Sequence, residues 1–145
     1  MKAILVGTDG SDSSMGAVQQ AAELAGLTGA TLHIACVVNL ARDVAAASLG
    51  SFVIPEGFDD QAQAAGQSAI DRASQIAGQY SPNVQGHVLQ GDIAASLMAL
   101  AEALPVDILV VGSKGMTGAA RFLLGSVPNR CAHHAPCSVL IVRTK

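Results

Sequence analysis

A glycine-rich stretch near the carboxyl end of the chain, GSKGMTGAARFLLGSV at 112–127, has the residue types of an anion site. Glycines let backbone N–H groups approach an anion with no side chain in the way. Gly112, Gly115 and Gly125 permit this approach, and Ser126 can cap the helix that follows. The first N–H groups and the dipole of that helix favour a phosphate. The stretch therefore predicts a phosphate cradle or, alternatively, a flexible crossover from a strand to a helix.

The residues around these glycines affect how well the stretch could bind a phosphate. Pro128 falls in the first turn of the predicted helix, where its missing N–H has no intrahelical acceptor, so it is compatible with the helix. It nevertheless removes one N–H that a phosphate could bind. Lys114 and Arg121 could add positive charge or simply be solvated. Neither GxxxxGK[ST] nor GxGxxG occurs, so the stretch is not a Walker A loop.

A second polar loop, GTDGS at Gly7–Ser11, follows a short apolar run at the start of the chain. Asp9 could hydrogen-bond a ribose or hold a magnesium ion that already bridges phosphates. The alternative is a turn or helix cap, because Asp and Ser are the usual residues there. One Asp is not a metal site, so we expect no resident metal, and any magnesium ion would arrive with a nucleotide.

The elements that position these loops alternate between strands and helices. Strands are predicted at residues 3–8, 31–38, 84–91, 107–112 and 138–143, and helices at 61–80, 93–104 and about 127–133. A further helix is predicted between the first two strands, with Ser11 or Asp12 as its N-cap and Gly29 as its end. This alternation favours a parallel sheet with helices on both faces. Ligands of such sheets bind beyond the carboxyl ends of the strands, where the winding reverses. If the first and fourth strands are neighbours, both loops face one crevice. Residues 39–59 have no clean period and suggest a long excursion, either a functional lid or disordered.

Length and composition exclude several function classes. The 145 residues are predicted to form one domain, 1–145, and the net charge of −3 argues against nucleic-acid binding. Aromatic residues make up only 3%, so base-stacking platforms are not expected either. We find no targeting segment and no run of the ~20 apolar residues that a membrane span needs, so we expect a soluble, cytosolic protein. The three cysteines are predicted to be buried thiols.

Other chemistry-bearing residues give weaker signals. Cys131, His133, His134 and Cys137 invite a zinc interpretation, but they crowd one helix end and strand start, where histidines favourable to the helix dipole are the simpler explanation. The other two histidines occur singly in predicted strands and are expected to be structural. No GxSxG, HExxH or CxxC motif is present, so no catalytic residue is assigned.

The spacing Gly112-x2-Gly115-x9-Gly125-Ser126, after DILVVG and before HAPCSVLIVR, resembles the universal stress protein family, as does ILVGTDGS near the start. The resemblance covers the whole chain as a single domain. It implies an open, doubly wound, Rossmann-like α/β fold: a five-stranded parallel sheet of order 3-2-1-4-5, flanked by four helices. It also implies ATP binding between the ends of the first and fourth strands.

Carried over by motif, the resemblance implies a set of nucleotide contacts. Gly7, Thr8 and Asp9 would line the adenosine and ribose side of the site, and the backbone of Val37 would contact adenine. The ribose and the phosphates would be surrounded by Val111, Gly112, Gly115, Gly125, Ser126 and Val127. The next position is commonly Ser or Thr in ATP-binding members, and here it is Pro128. The proline lacks a hydroxyl and an N–H, which weakens the contact with the γ-phosphate of ATP. ADP, AMP or a cyclic nucleotide is therefore an alternative ligand.

The last predicted strand, Ser138–Arg143, would be an unpaired apolar edge in a monomer. The resemblance implies a homodimer through this strand; a covered edge in a monomer is the alternative. The function implied is that of a cytosolic, ATP-binding stress-response dimer that regulates a protein partner. Two alternatives are a dimeric interaction module that binds no nucleotide and a slow ATPase, for which Asp9 is the one candidate base.

Overall fold

The protein is described by a computed structural model over residues 1–39, 56–114 and 124–143. The strands are β1 (Ala3–Gly7), β2 (Thr31–Val38), β3 (Val84–Gln90), β4 (Val106–Gly112) and β5 (Ser138–Val142). The helices are α1 (Asp12–Thr28), α2 (Phe58–Ala77), α3 (Ile93–Ala103) and α4 (Ser126–His134). All strand pairs are parallel, in the order β3-β2-β1-β4-β5, which confirms the predicted fold. Most of the predicted excursion, at residues 40–55, lies outside the described residues.

The helices cover both faces of the sheet because successive strand residues point to opposite sides. Ile4 and Val6 of β1 pack with the alanine-rich faces of α1 and α2. Leu5, between them, packs on the other side with Leu97 of α3 and Cys131 of α4. Since β1 is paired with both β2 and β4, the loops that follow β1 and β4 emerge side by side at the carboxyl edge of the sheet.

Local signals in the sequence fix the ends of the helices. The Ser11 side chain caps α1 by accepting the N–H of Ser14, and Gly29 ends that helix in the left-handed conformation. Asp92 caps α3, as predicted, by accepting the N–H of Ala95 at 2.9 Å. This hydrogen bond lowers the pKa of the Asp92 carboxyl. The second helix begins at Phe58 rather than at residue 61, because two acidic residues in its first turn complement the helix dipole.

Two histidines that the sequence suggested were single are bonded to each other. His33 Nδ1 and His87 Nε2 lie 2.9 Å apart, and His33 is buried. The pairing of β2 with β3 sets His33 opposite Gln85 and His87 opposite Ala35, so the two rings meet diagonally on one face of the sheet. Burial lowers the pKa of both rings, and the charge of His87 lowers that of His33 further. The two rings are therefore bonded to each other across the β2–β3 pair, and their lowered pKa values disfavour the charged form of each ring.

The residues that the sequence suggested as zinc ligands lie in different environments. Cys131 is fully buried against the sheet, and burial raises the pKa of its thiol to about 11. His133 and His134 are exposed in the last turn of α4, where a basic ring complements the helix dipole. Across residues 1–39, 56–114 and 124–143, no group of three His, Cys, Asp or Glu side chains is placed to hold a metal ion. In the same residues, no helix has the length and apolar character of a membrane span.

Candidate functional site

A cleft opens at the carboxyl edge of the sheet, where β1, β2 and β4 end. Its volume is about 540 Å³, counting the space that is open to solvent. Its lining consists of Gly7, Thr8, Asp9, Ser11, Ser13, Ser14, Ala35, Val37, Ile93, Leu97, Val111, Gly112 and Val127. One side is therefore hydroxyl-rich and the other apolar, which suits a ligand with an apolar ring and a polar end.

Most of the residues predicted for the nucleotide meet in this cleft. The predicted residues that line it are Gly7, Thr8, Asp9, Val37, Val111, Gly112 and Val127. Gly125 and Ser126 directly precede Val127 at the start of α4. Gly115 and Arg121 lie outside the described residues. Two loops more than a hundred residues apart in sequence thus reach one place, as expected if β1 and β4 are neighbours.

The apolar side of the cleft contains residues that the sequence motifs missed. Ile93 and Leu97 of α3 line it together with Ala35 of β2. The periodicity of α3 put Ile93 and Leu97 on its apolar face, but only the packing of α3 on the sheet brings that face to the cleft. Gly7 leaves room for the Leu97 side chain, because a Cβ at Gly7 would lie 2.9 Å from Leu97 Cδ1.

Hydrogen bonds within the β1–α1 loop hold its polar groups beside the cleft. The Thr8 N–H donates to the carbonyl oxygen of Ala35 at 2.9 Å, and the Thr8 and Ser14 hydroxyls are 2.7 Å apart. Asp9 Oδ1 accepts the N–H of Ser11 at 2.9 Å and its hydroxyl at 2.5 Å. The carboxylate of Asp9 therefore stabilises the turn and also borders the cleft, so these two roles are compatible.

The start of α4 differs from the expectation that Ser126 caps it. That expectation is wrong: Gly125 is the N-cap, with no side-chain capping bond, and Ser126 is the first helical residue. Gly125 takes this position because its N–H donates to the Ser113 carbonyl at 2.9 Å and its carbonyl accepts the N–H of Asn129 at 3.1 Å. Pro128 has no N–H, so the donors that the first turn can offer a ligand are those of Ser126 and Val127.

The charges at the other helix ends make α4 the favoured anion position. The first turns of α1 and α2 contain acidic residues, and α3 is capped by Asp92. The first turn of α4 contains no acidic residue, so no carboxylate of its own first turn offsets its dipole. Arg130 of α4 donates to Asp92 at 2.7 Å, which ties α4 to the start of α3. Asp9 is the one charged side chain in the described lining of the cleft.

Comparison with known proteins gives a match over nearly the whole chain. The sequence model of the universal stress protein family matches residues 1–143. The chain belongs to this family. A universal stress protein of Mycobacterium tuberculosis is 33% identical over 148 residues, covering 99% of this chain and 97% of that protein. A family member from Methanocaldococcus jannaschii is 32% identical over 142 residues, covering 98% of this chain and 82% of that protein.

Solved structures of the family have the same fold. A universal stress protein in complex with cAMP is 30% identical, with a TM-score of 0.73, and the match covers 99% of this chain and 98% of that one. The Lactobacillus plantarum family member is 24% identical, with a TM-score of 0.79 and coverage of 98% and 97%. This chain therefore has the Rossmann-like α/β fold of these two solved family members.

Proposed function

We propose that the protein binds an adenine nucleotide in the cleft and acts as a cytosolic stress-response regulator. The observation that carries the proposal is the convergence on one cleft of Asp9, the strand end at Val37 and the start of α4, which has no side-chain cap. The solved relative in complex with cAMP supports an adenine nucleotide as the ligand. Isothermal titration with ATP, ADP, AMP and cAMP, with and without magnesium, tests it. No binding of any of the four would overturn the proposal.

In this arrangement each part of the nucleotide meets a matching surface. The base packs on the apolar side formed by Val37 and Leu97, and the Asp9 carboxylate accepts hydrogen bonds from the ribose. The phosphates lie at the start of α4, near Gly112, Gly125, Ser126 and Val127. The motif also assigns Gly115 to them, a residue outside the described ranges. A magnesium ion, where present, is brought by the nucleotide and met by Asp9.

We infer that Pro128 limits the number of phosphates that the site holds. Pro128→Ala restores one N–H, and Pro128→Ser restores the N–H and adds a hydroxyl. We expect Pro128→Ser to raise the affinity for ATP relative to AMP by about tenfold, as one hydrogen bond to a charged group allows, and Pro128→Ala to raise it less. Both variants lose the same buried ring contacts, so the ATP-to-AMP affinity ratio, measured by calorimetry, isolates the phosphate contact. An unchanged ratio would contradict the inference.

We also propose a homodimer that pairs the β5 strands antiparallel. In the described residues β5 pairs with β4 alone, and Leu140 is 36% exposed on it. A partner strand would cover this edge and its unpaired backbone groups. The same surface would serve the alternative function, a dimeric interaction module.

Leu140→Glu tests the dimer, because it brings two like charges together across the proposed strand pair. We expect sedimentation velocity to show the wild type at twice the chain mass and the variant as a monomer. Leu27→Glu is the matched control, since it adds the same charge at a leucine of α1 that is 87% exposed. A wild-type monomer, or a Leu140→Glu dimer as tight as the wild type, would argue against pairing through β5.

A further inference from the structure

The β1–α1 loop is also held from outside the cleft, by α2. Arg72 Nη1 donates to the carbonyl oxygen of Gly10 at 2.8 Å, and Nη2 donates to the carboxylate of Asp12. Asp12 is the first residue of α1. One guanidinium therefore spans the turn from Gly10 to the start of the helix, and its planar fork fixes both ends together.

A second contact with α2 restricts the same turn. Gly10 has a φ of +82°, and a Cβ at this position would lie 2.9 Å from the Cβ of Ala69. Ala69 and Arg72 are three residues apart, so they share one face of α2. The backbone of Gly10 is thus confined between the Ala69 methyl group and the Arg72 guanidinium.

The conformation of Gly10 is transmitted to the residues that line the cleft. The Gly10 N–H donates to the Thr8 hydroxyl at 3.1 Å, and this hydroxyl is also bonded to Ser14. On the other side of Gly10, the bonds from Ser11 fix the carboxylate of Asp9. A displacement of Gly10 would therefore move both the hydroxyl and the carboxylate that border the cleft.

We propose that Arg72 is a positioning residue for nucleotide binding: it does not line the cleft, but it holds the loop that carries Thr8 and Asp9 in the binding conformation. This inference rests on the proposed function. Its effect follows from linkage, because the apparent affinity falls in proportion to the fraction of molecules whose loop is in the binding-competent conformation.

The competing explanation is an ordinary surface ion pair. The Arg72 and Asp12 side chains are 46% and 93% exposed, and such pairs contribute little to stability. The bond from Arg72 to the backbone carbonyl of Gly10 separates the two explanations. It fixes a loop atom and does not depend on the exposed carboxylate.

Three substitutions test the role. Arg72→Gln removes the guanidinium, and we expect it to weaken AMP and ATP binding by about three- to tenfold as the competent fraction of the loop falls. Arg72→Lys can reach one acceptor but not both, so it should restore part of this loss. Asp12→Asn leaves the bond to Gly10 in place and should weaken binding less than Arg72→Gln. Gln67→Ala, which removes an exposed side-chain bond within α2, is the control and should bind as the wild type.

Amide exchange measured by NMR without nucleotide distinguishes positioning from a general loss of structure. We expect faster exchange at Gly10 and Ser11 in Arg72→Gln, with the amides of α2 as protected as in the wild type. If the wild type binds nucleotide and Arg72→Gln binds it equally well, the positioning role is overturned. It is also overturned if weaker binding accompanies an equal loss of protection throughout α2. A wild type that binds none of the nucleotides overturns the proposed function instead.

Discussion

Replacement of Gly7 by leucine is expected to lower the affinity for adenine nucleotides at least about 100-fold, or ~2.7 kcal/mol. Gly7 ends β1 and lines the cleft, and a Cβ there already lies 2.9 Å from Leu97 Cδ1. The rest of a leucine side chain would occupy the space between β1 and α3 that we assign to the base. Gly7→Ala should have a smaller effect, because the end of the Leu97 side chain can move aside.

The control for this prediction is Gly16→Leu, because a Cβ at Gly16 has no atom within 4 Å. Calorimetric titration with AMP and ATP gives the affinities, and urea unfolding of each variant shows that it is folded. A folded Gly7→Leu variant that binds within about threefold of the wild type would place the nucleotide elsewhere, since such a difference is only ~0.7 kcal/mol. A graded loss from glycine through alanine to leucine would support the assignment of the cleft.

Replacement of Gly26 by alanine is expected to lower the free energy of unfolding by about 2–3 kcal/mol, the upper part of the range for overpacking. A Cβ at Gly26 would lie 2.2 Å from the carbonyl oxygen of Tyr80. This oxygen belongs to the backbone after α2, so it cannot turn away as a side chain can. The cost therefore includes a displacement of α1 from the segment that follows α2.

Gly16→Ala is the matched substitution in the same helix. It meets open space, so helix propensity alone decides its effect, and it should raise the free energy of unfolding by about 0.5–1 kcal/mol. Urea unfolding of both variants, compared at equal m-values, measures the two changes. Helix propensity alone predicts the same gain in the free energy of unfolding for a glycine-to-alanine change at Gly16 and at Gly26. A stabilised Gly26→Ala variant would thus contradict the contact between α1 and the end of α2.

Several features could be predicted because they depend on residues close together in the chain. The apolar run of β4 indicated a buried parallel strand, and Asp92 marked the start of α3. The spacing from Gly112 to Ser126 was specific enough to indicate the family, and with it the strand order. The expected cap of α4 was wrong by one residue, since the bond between Gly125 and Ser113 decides which residue stays outside the helix.

Other features depend on segments that are far apart in the chain and meet only in the folded protein. The bonded pair of His33 and His87 requires the register of β2 against β3. The apolar side of the cleft requires α3 to present Leu97 beside β1, and the contact of Arg72 with Gly10 requires α2 to pack on the turn after β1. By itself, the sequence determined which elements form and which loops carry polar residues, because periodicity, capping and turn chemistry act over a few residues. Only the tertiary structure decided which distant side chains complete and support the cleft, because that depends on how whole elements pack.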